Sequence, residues 1–239
     1  MVGIKSDVGN VRKLNEDYAL YKEEEKYRVF VVADGMGGHN AGEVASEMAS
    51  KKVIEFIEKN FNYENRYNIL KEAVEYANIK IYEFSHGEEE YRGMGTTLTA
   101  CLITDEFIQV ANVGDSSCYG IKGEVIEKIT KDHSLVQELL DFGSITEEEA
   151  EKHPQRNIIT RAIGTKEWVE VDIFKVNPKK YNLFLLCSDG LSNEVKSNDI
   201  LSILSEYSNL GEVCEILIDL AKSRGGRDNI TVVLFEGEV

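Results

Sequence analysis

Hydrophobic and polar positions follow two periods along the chain, one typical of strands and one typical of helices. Residues 18–21 and 27–33 are apolar or aromatic runs around the charged segment 22–26, so they are predicted to pair as a β-hairpin. Apolar residues then recur every three or four positions through 41–59 and 70–87, which predicts two consecutive amphipathic helices.

The rest of the chain returns to strand patterns with helices between them. The predicted strands are 96–104, 107–113, 117–121, 124–129, 169–176, 183–188 and 230–235, and the later predicted helices are 198–207 and 211–223. The turns between the first four of these strands are too short for a crossover helix, so antiparallel pairing is expected. Ser134 with Gln137 and Thr146 with Glu149 are capping-box patterns, which predict two short helices around Gly143.

Antiparallel strands separated by pairs of helices predict an α+β fold in which helices cover sheets that pack face to face. The chain has 239 residues, of which 42% are hydrophobic, so it can bury the core of one large domain. It contains two prolines and no low-complexity stretch that would mark a linker. A single domain over residues 1–239 is therefore predicted.

Composition argues against several classes of partner. The 43 acidic and 27 basic residues give a net charge of -16, and the resulting field repels nucleic acid and anionic membranes. No apolar run approaches membrane-spanning length, and the first residues lack the apolar core of a signal peptide. The four cysteines lie in strand-like segments without Cys-x-x-Cys spacing, as buried free thiols of a reducing compartment do. We expect a cytoplasmic protein that binds no nucleic acid and does not insert into a membrane.

Three aspartates stand beside hydrophobic runs. Asp34 and Asp189 each follow an apolar run and precede a glycine, and Asp228 stands just before the last such run. An isolated Asp-Gly pair is more often a turn than a metal ligand. Hard divalent cations, however, prefer oxygen ligands, and strands can bring distant carboxylates to one sheet edge. The pattern therefore predicts a divalent metal site made by these three carboxylates and the carbonyl of Gly35.

The segment around Arg12 carries two further acids, Glu16 and Asp17, just before a predicted strand. A guanidinium offers a planar fork for phosphate oxygens, and the two carboxylates could hold water on a metal ion. In isolation, such a segment is more typical of a surface ion-pair loop.

A series of short motifs resembles one known family. In chain order they are RKLNED at 12–17, VADGMGGH at 32–39, GTT at 95–97, ANVGDS at 111–116, DHS at 132–134, TRAIG at 160–164, CSDGL at 187–191 and GRDNIT at 226–231. This order resembles the metal-dependent protein phosphatases of type 2C, and most closely their single-domain bacterial branch. The series spans nearly the whole chain, so it is far more specific than any one motif.

The resemblance implies a four-layer αββα sandwich with a binuclear Mg²⁺ or Mn²⁺ centre at one end of its cleft. By position, Asp34 would bridge both ions and the Gly35 carbonyl would bind one of them. Asp189 and Asp228 would bind the other ion. A third, weaker ion would be held by Asp115 together with Asp189.

The resemblance also implies the reaction. Glu16 and Asp17 would act through metal-coordinated waters, and Arg12 would bind the phosphate. A water that bridges the two ions would attack phosphoserine or phosphothreonine in proteins directly, without a covalent intermediate, and so oppose a serine/threonine kinase of the same cell. The ions would leave a locally positive patch that admits a phosphate dianion to an acidic protein. We expect the chain to act as a monomer.

Many eukaryotic relatives carry a histidine where this chain has Met36, and that histidine is proposed to protonate the leaving oxygen. A thioether cannot do so, and we hypothesise that a water on the third ion near Asp115 takes this role.

Residues 142–163 correspond to a mobile flap in bacterial relatives, which would choose among substrates. An ordinary helix-containing connection is an equally good interpretation of this segment.

Alternative functions are a signalling module that has lost its metal and a two-metal nuclease or phosphodiesterase. The intact ligand positions disfavour the first, and the acidic composition disfavours the second because a nuclease needs a basic groove. Ser188 lacks the Gly-x-Ser-x-Gly elbow, so we reject serine-hydrolase chemistry. His133 is expected to have a structural role, and His39 is expected to be a polar residue at a helix start.

Overall fold

The computed structural model describes residues 1–36, 41–87 and 89–237, which form two antiparallel sheets covered by helices. The strands are β1 (Val2–Asp7), β2 (Asp17–Glu24), β3 (Tyr27–Met36), β4 (Gly95–Thr96), β5 (Leu98–Ile103), β6 (Ile108–Val113), β7 (Ser117–Lys122), β8 (Val125–Lys128), β9 (Asp172–Val176), β10 (Leu183–Cys187) and β11 (Ile230–Glu236). The helices are α1 (Gly42–Asn60), α2 (Ile69–Gly87), α3 (Leu135–Asp141), α4 (Glu147–Glu151), α5 (Asp189–Ser192), α6 (Ser197–Glu206) and α7 (Leu210–Ser223). The predicted α+β class, with two antiparallel sheets and flanking helices, is confirmed.

Each sheet combines strands that are distant in sequence. One sheet has the order β1-β11-β10-β7-β8, and the other has the order β2-β3-β5-β6-β9. The short strand β4 pairs with the last two residues of β3, Gly35 and Met36. The predicted hairpin is formed by β2 and β3, and its register places Asp17 opposite Asp34.

Alternation along β3 explains the layers of the fold. Val29 and Val31 belong to the core between the sheet and helices α1 and α2, whereas Phe30 and Val32 belong to the core between the two sheets. The ring of Phe30 stacks on Phe235 of the opposite sheet with centroids 3.7 Å apart. Each fully buried side chain of this size contributes about 1.5–3 kcal/mol, so this layer fixes one sheet against the other.

Strand β1 and helix α5 are not predicted by the sequence pattern. Strand β1 lies at a sheet edge and pairs only with β11, from Val2 opposite Phe235 to Asp7 opposite Ile230. Its second half is polar and exposed. An edge strand with few apolar side chains gives little periodic signal, which explains why this element is missed.

The expected antiparallel pairing of consecutive strands is wrong at one position. Strands β5 and β6 pair with each other, and so do β7 and β8, but β6 and β7 belong to different sheets. The three residues 114–116 carry the chain across. Gly114 has a φ of +107°, a conformation that glycine adopts without steric cost. Length alone does not distinguish a hairpin turn from a crossing between packed sheets.

Both short helices are capped by the predicted residues, but only the second has the reciprocal capping box that the sequence predicts. The Gln137 N–H donates to Ser134 Oγ at the start of α3, and Thr146 with Glu149 forms a reciprocal capping box at the start of α4. All four cysteines are free and buried. Within the described ranges, no helix is long and apolar enough to cross a membrane. The single-domain assignment over 1–239 and the flap role of 142–163 stay predictions.

Candidate metal and phosphate site

One cavity of about 290 Å³ brings together most of the residues that the sequence singles out. It is lined by Arg12, Glu16, Asp34, Gly35, Met36, Thr97, Asp115, Asn157, Ile159, Asp189 and Asp228. These residues come from both sheets and from the connections at one end of them. The predicted residue Asp17 does not line the cavity but is buried close to it. His39 belongs to the segment 37–40, which lies outside the described residues.

Asp34 is held by hydrogen bonds on both sides of its backbone. Its N–H donates to Thr97 Oγ1 at 3.0 Å, and its carbonyl accepts from the Thr97 N–H at 2.8 Å and from Thr96 Oγ1 at 2.9 Å. Strand β3 does not end at this residue, as the Asp-Gly pattern suggested, because β4 extends its pairing to Met36. The backbone is therefore fixed while the carboxylate projects into the cavity.

Gly35 is required by a close contact between two elements. Its N–H donates to the Glu16 carbonyl at 3.0 Å, and a Cβ atom at this position would lie 2.1 Å from the carbonyl oxygen of Gly42. Any side chain would push β3 away from the first turn of α1. The glycine therefore lets Glu16 and Asp34 approach the same cavity.

Asp17 is a buried carboxylate opposite Asp34 in the hairpin. Ser188 Oγ donates to its Oδ2 at 2.6 Å, whereas its Oδ1 is buried and has no hydrogen-bond partner in the described part of the chain. Burial, with a smaller contribution from Asp189, raises the pKa of Asp17 to about 7. Because Ser188 is fully buried and bound to this carboxylate, the structure agrees with the rejection of a serine nucleophile.

Asp189 begins helix α5, and its carboxylate lies close to that of Asp228. A Cβ atom on Gly190 would lie 2.0 Å from the Asn229 carbonyl oxygen, so the glycine allows the two segments to touch. Asn193 Nδ2 donates to Asp189 Oδ2 at 3.1 Å, but Oδ1 is buried without a partner among the described residues. Burial and the charge of Asp228 raise the pKa of Asp189 to about 6.

Asn229 organises the segment that carries Arg12, a role that the sequence analysis misses. Its Oδ1 accepts from the Glu16 N–H at 2.8 Å, and its Nδ2 donates to the carbonyls of Val8 and Leu14 at 3.0 and 2.9 Å. The polar residue directly before a buried strand was the available signal. The segment is therefore a positioned part of the site and not a loose surface loop.

Arg12 lines the cavity and pairs with one of the predicted ligands. Its Nη2 lies 2.9 Å from Asp228 Oδ2, and about half of its side chain is exposed. Burial alone would lower the pKa of Arg12. The charges of Asp228, Glu16 and Asp34 outweigh this effect and raise the pKa above its ordinary value. A fully ionised guanidinium therefore stands at the mouth of an acidic cavity, where it can contact an incoming anion.

The carboxylates of the site repel one another. Burial, followed by the charges of Asp17 and Asp189, raises the pKa of Asp34 well above its ordinary value. Burial and Asp189 likewise raise the pKa of Asp115 to about 7. Such a set of acids is stable in ionised form only beside positive charge, and Arg12 supplies a single one.

The donor set fits hard divalent cations. Every candidate ligand is an oxygen, and two buried carboxylate oxygens, one on Asp17 and one on Asp189, have no partner within the described ranges. In the same ranges, no three His, Cys, Asp or Glu side chains are arranged as a complete ligand set for one ion. Magnesium and manganese ions do not need such a cage, since Mg²⁺ keeps several waters and uses few carboxylates.

The connection at 142–163 reaches the site through two residues that the sequence analysis misses. Asn157 and Ile159 line the cavity beside Asp34. A second cavity of about 800 Å³ adjoins it and shares Asp115, Asn157 and Asp189 with it. Helices α3 and α4, the α5–α6 connection and strands β7 and β8 line this larger cavity. A groove therefore leads from the carboxylates along the predicted flap.

Comparisons with known proteins agree on one family. The model of the family "Protein phosphatase 2C" matches residues 10–222. The "Serine/threonine phosphatase stp" of Listeria monocytogenes is 39% identical over 239 residues, which cover 98% of this chain and 95% of the relative. The "Protein phosphatase PhpP" of Streptococcus pneumoniae is 39% identical over 236 residues, which cover 98% of this chain and 96% of the relative.

Solved structures give the same result. The crystal structure of "Serine/threonine phosphatase Stp1 from Staphylococcus aureus" superposes with a TM-score of 0.91 at 37% identity, over 98% of this chain and 93% of the other. That of the "Mycobacterium tuberculosis serine/threonine phosphatase PstP/Ppp" superposes with a TM-score of 0.87 at 36% identity, over 100% of this chain and 99% of the other. Both likenesses extend over essentially the whole fold.

Proposed function

Because this chain belongs to the protein phosphatase 2C family, we infer that it is a serine/threonine protein phosphatase, which hydrolyses phosphoserine and phosphothreonine in proteins. Members of this family depend in general on Mn²⁺ or Mg²⁺. The observation that carries the inference within the structure is the shared cavity, in which four aspartates and one arginine from distant segments meet. This arrangement suits a phosphate anion only when cations are also bound.

We propose that Asp34, the Gly35 carbonyl, Asp189 and Asp228 hold two divalent cations, and that Asp115 with Asp189 holds a third. The unpaired Oδ1 of Asp189 and the raised pKa values of Asp34, Asp115 and Asp189 support the assignment. When bound, such ions would lower the pKa of a coordinated water so that it can lose a proton and attack phosphorus. The ions would also neutralise charge on the phosphate.

The chain's other residues would support this chemistry by position. Glu16 lines the cavity, and Asp17 is buried beside it with an Oδ1 that has no partner in the described part of the chain. Both carboxylates are therefore expected to accept hydrogen bonds from waters on the cations. Arg12 would bind the non-bridging oxygens of the phosphate through its planar fork. Its contact with Asp228 holds the guanidinium at the cavity before substrate arrives.

We further propose that residues 142–163 take part in substrate selection. The segment supplies Asn157 and Ile159 to the catalytic cavity and helices to the wall of the adjoining groove. A polypeptide that enters with its phosphorylated residue at the carboxylates would pass along this groove. Exchange of the segment between related enzymes should therefore change relative turnover among phosphopeptides, and unchanged ratios would favour an ordinary connection.

The remaining proposals concern the cellular setting. A serine/threonine protein phosphatase needs a kinase that makes its substrates, so we propose that it opposes a serine/threonine kinase of the same cell. Four buried free thiols fit a reducing compartment, which supports a cytoplasmic location. We propose that the chain acts as a monomer, because every residue proposed to bind a cation or the phosphate belongs to this chain.

The deciding experiment measures phosphate release from a phosphothreonine peptide with and without Mn²⁺. We expect Mn²⁺-dependent turnover by the wild type and a loss of about 100-fold or more in Asp189→Asn. A plasmid substrate run in parallel tests the nuclease alternative, which predicts nicking instead. Absence of both metal-dependent phosphate release and plasmid nicking in well-folded wild-type protein would leave the non-catalytic signalling module.

A further inference from the structure

His133 is a buried histidine that touches none of the proposed ligands, yet it contacts the residue next to one of them. Its Nδ1 accepts a hydrogen bond from the Gly114 N–H at 3.1 Å, and its own backbone N–H donates to the Gly114 carbonyl at 2.9 Å. Asp115 is the next residue in the chain. The histidine therefore holds both polar groups of the residue that precedes this carboxylate.

The link at 114–116 needs such support because it crosses between the sheets without pairing to either. Gly114 has a positive φ, and a Cβ atom there would lie 2.6 Å from the Thr97 side chain. Asn112 Nδ2 donates to the Gly114 carbonyl at 3.1 Å and so gives it a second partner. Among the described residues, the acceptor of the Gly114 N–H is the His133 ring.

The far side of the ring is fixed as well. Because Nδ1 accepts a hydrogen bond, the ring proton is on Nε2, which donates to Asp172 Oδ2 at 3.1 Å. Arg161 Nη1 donates to the other oxygen of Asp172 at 2.9 Å. Burial would raise the pKa of Asp172, but the hydrogen bonds from His133 and Arg161 and the positive charge of Arg161 hold it below its ordinary value. The carboxylate on β9 thus orients the imidazole toward Gly114.

We propose that His133 is a positioning residue, which orients the Asp115 carboxylate by accepting the Gly114 N–H. This role rests on the proposed function of Asp115 as a ligand of the third cation. His133 itself is not among the residues that line the cavity. An ordinary core histidine would stabilise the fold in the same way but would not act through one particular ring nitrogen.

Two substitutions separate the ring nitrogens. In His133→Asn the amide oxygen can take the place of Nδ1 and keep the bond from Gly114, whereas in His133→Gln the amide nitrogen can take the place of Nε2 and keep only the bond to Asp172. We expect His133→Gln to raise the Mn²⁺ concentration for half-maximal turnover by about tenfold, and His133→Asn to keep it near the wild-type value. Hydrogen exchange at the Gly114 and Asp115 amides of metal-free protein should rise in His133→Gln alone.

A matched control is His86→Gln at the exposed end of α2, which should match the wild type in both measurements. Equal effects of the two His133 variants, or wild-type behaviour of His133→Gln, would overturn the proposal. If His133→Gln does not fold, ¹⁵N NMR of wild-type imidazole decides, since a proton on Nδ1 contradicts the geometry. Wild-type protein without metal-dependent turnover would overturn the proposed function instead, and hydrogen exchange would still test the positioning role.

Discussion

Acidic side chains at the two ends of the β2-β3-β5-β6-β9 sheet differ in whether basic residues pair with them. At the end where β3 begins, Glu106 accepts hydrogen bonds from Arg66 Nε and Nη2 at 3.1 and 3.0 Å, and the guanidinium lies 3.5 Å from the centre of the Tyr63 ring. Hydrogen bonds from Tyr67 and Arg66 lower the pKa of Glu106. This acid already has its counter-charge within the chain.

At the other end, where β3 finishes, acids gather without a matching number of bases. Asp34 and Asp17 lie opposite each other in the hairpin, and both have raised pKa values. Arg12 is the basic residue that lines this cavity. The comparison teaches that charge alone does not mark a site. A buried acid that has no basic partner in the folded chain indicates a site where a bound ligand supplies the positive charge.

The largest expected effect comes from removing one unpaired acid. Asp34→Asn should lower phosphopeptide turnover by about 100-fold or more, because it removes the carboxylate shared by the proposed cation sites. In metal-free buffer the same variant should unfold at a higher temperature than the wild type, because it removes a repelled charge. Thermal unfolding in EDTA checks this opposite movement. A lower unfolding temperature would mean that the carboxylate has an internal partner.

Metal binding should stabilise the protein through acids at the end where β3 finishes, and acids at the end where β3 begins should not contribute. At Mn²⁺ concentrations about 100 times the dissociation constant, the wild type should unfold about 5 to 10 °C higher than in EDTA. Asp189→Asn should lose most of this shift, whereas Asp105→Asn, an exposed acid near Glu106, should keep it. Calorimetry with each variant provides the measurement. Equal shifts in both variants would contradict the assigned site.

Stability of the metal-free protein should fall as pH rises. The pKa values of Asp17 and Asp115 are raised to about 7 and that of Asp189 to about 6, so the folded chain binds these protons more tightly than the unfolded chain does. Their contribution is complete below the ordinary aspartate pKa and is lost as pH rises through the raised values. Unfolding temperatures between about pH 5 and pH 8 in EDTA should therefore decrease, and Mn²⁺ should reduce that decrease.

The smallest expected effect lies at the paired end. Arg66→Ala should lower the unfolding temperature by a few degrees, because it removes the partner of Glu106 and the stacking on Tyr63. Turnover and its Mn²⁺ dependence should match the wild type, because the pair does not line the catalytic cavity. Kinetics and thermal unfolding of one preparation test both statements. A changed Mn²⁺ dependence would show that the two ends are coupled.

The sequence predicts the site better than it predicts the elements that hold it. Asp34, Asp189 and Asp228 are recognisable because each stands beside a hydrophobic run, and they do line one cavity. Their roles as ligands stay predictions. The sequence does not single out Asn229 and Asn157, because their roles depend on contacts with segments that are distant in sequence. Local patterns report on a residue's neighbours in the chain and not on its neighbours in space.

The fold shows the same limit. The hairpin of β2 and β3 and the long helices α1 and α2 are predicted because each has a clear period and enough length. The crossing between β6 and β7 is not, because a three-residue link can serve a hairpin or a change of sheet. Its direction is set by packing between the sheets, which periodicity does not report.

The position of β11 has a consequence for synthesis of the protein. This strand lies between β1 and β10, so residues 2–7 find their pairing partner only after residues 230–236 have been made. Asp228 lies two residues before this strand. The sheet that contains β1 therefore cannot close while residues 230–236 are still inside the ribosome, and until they emerge Asp228 has no fixed place beside Asp34 and Asp189.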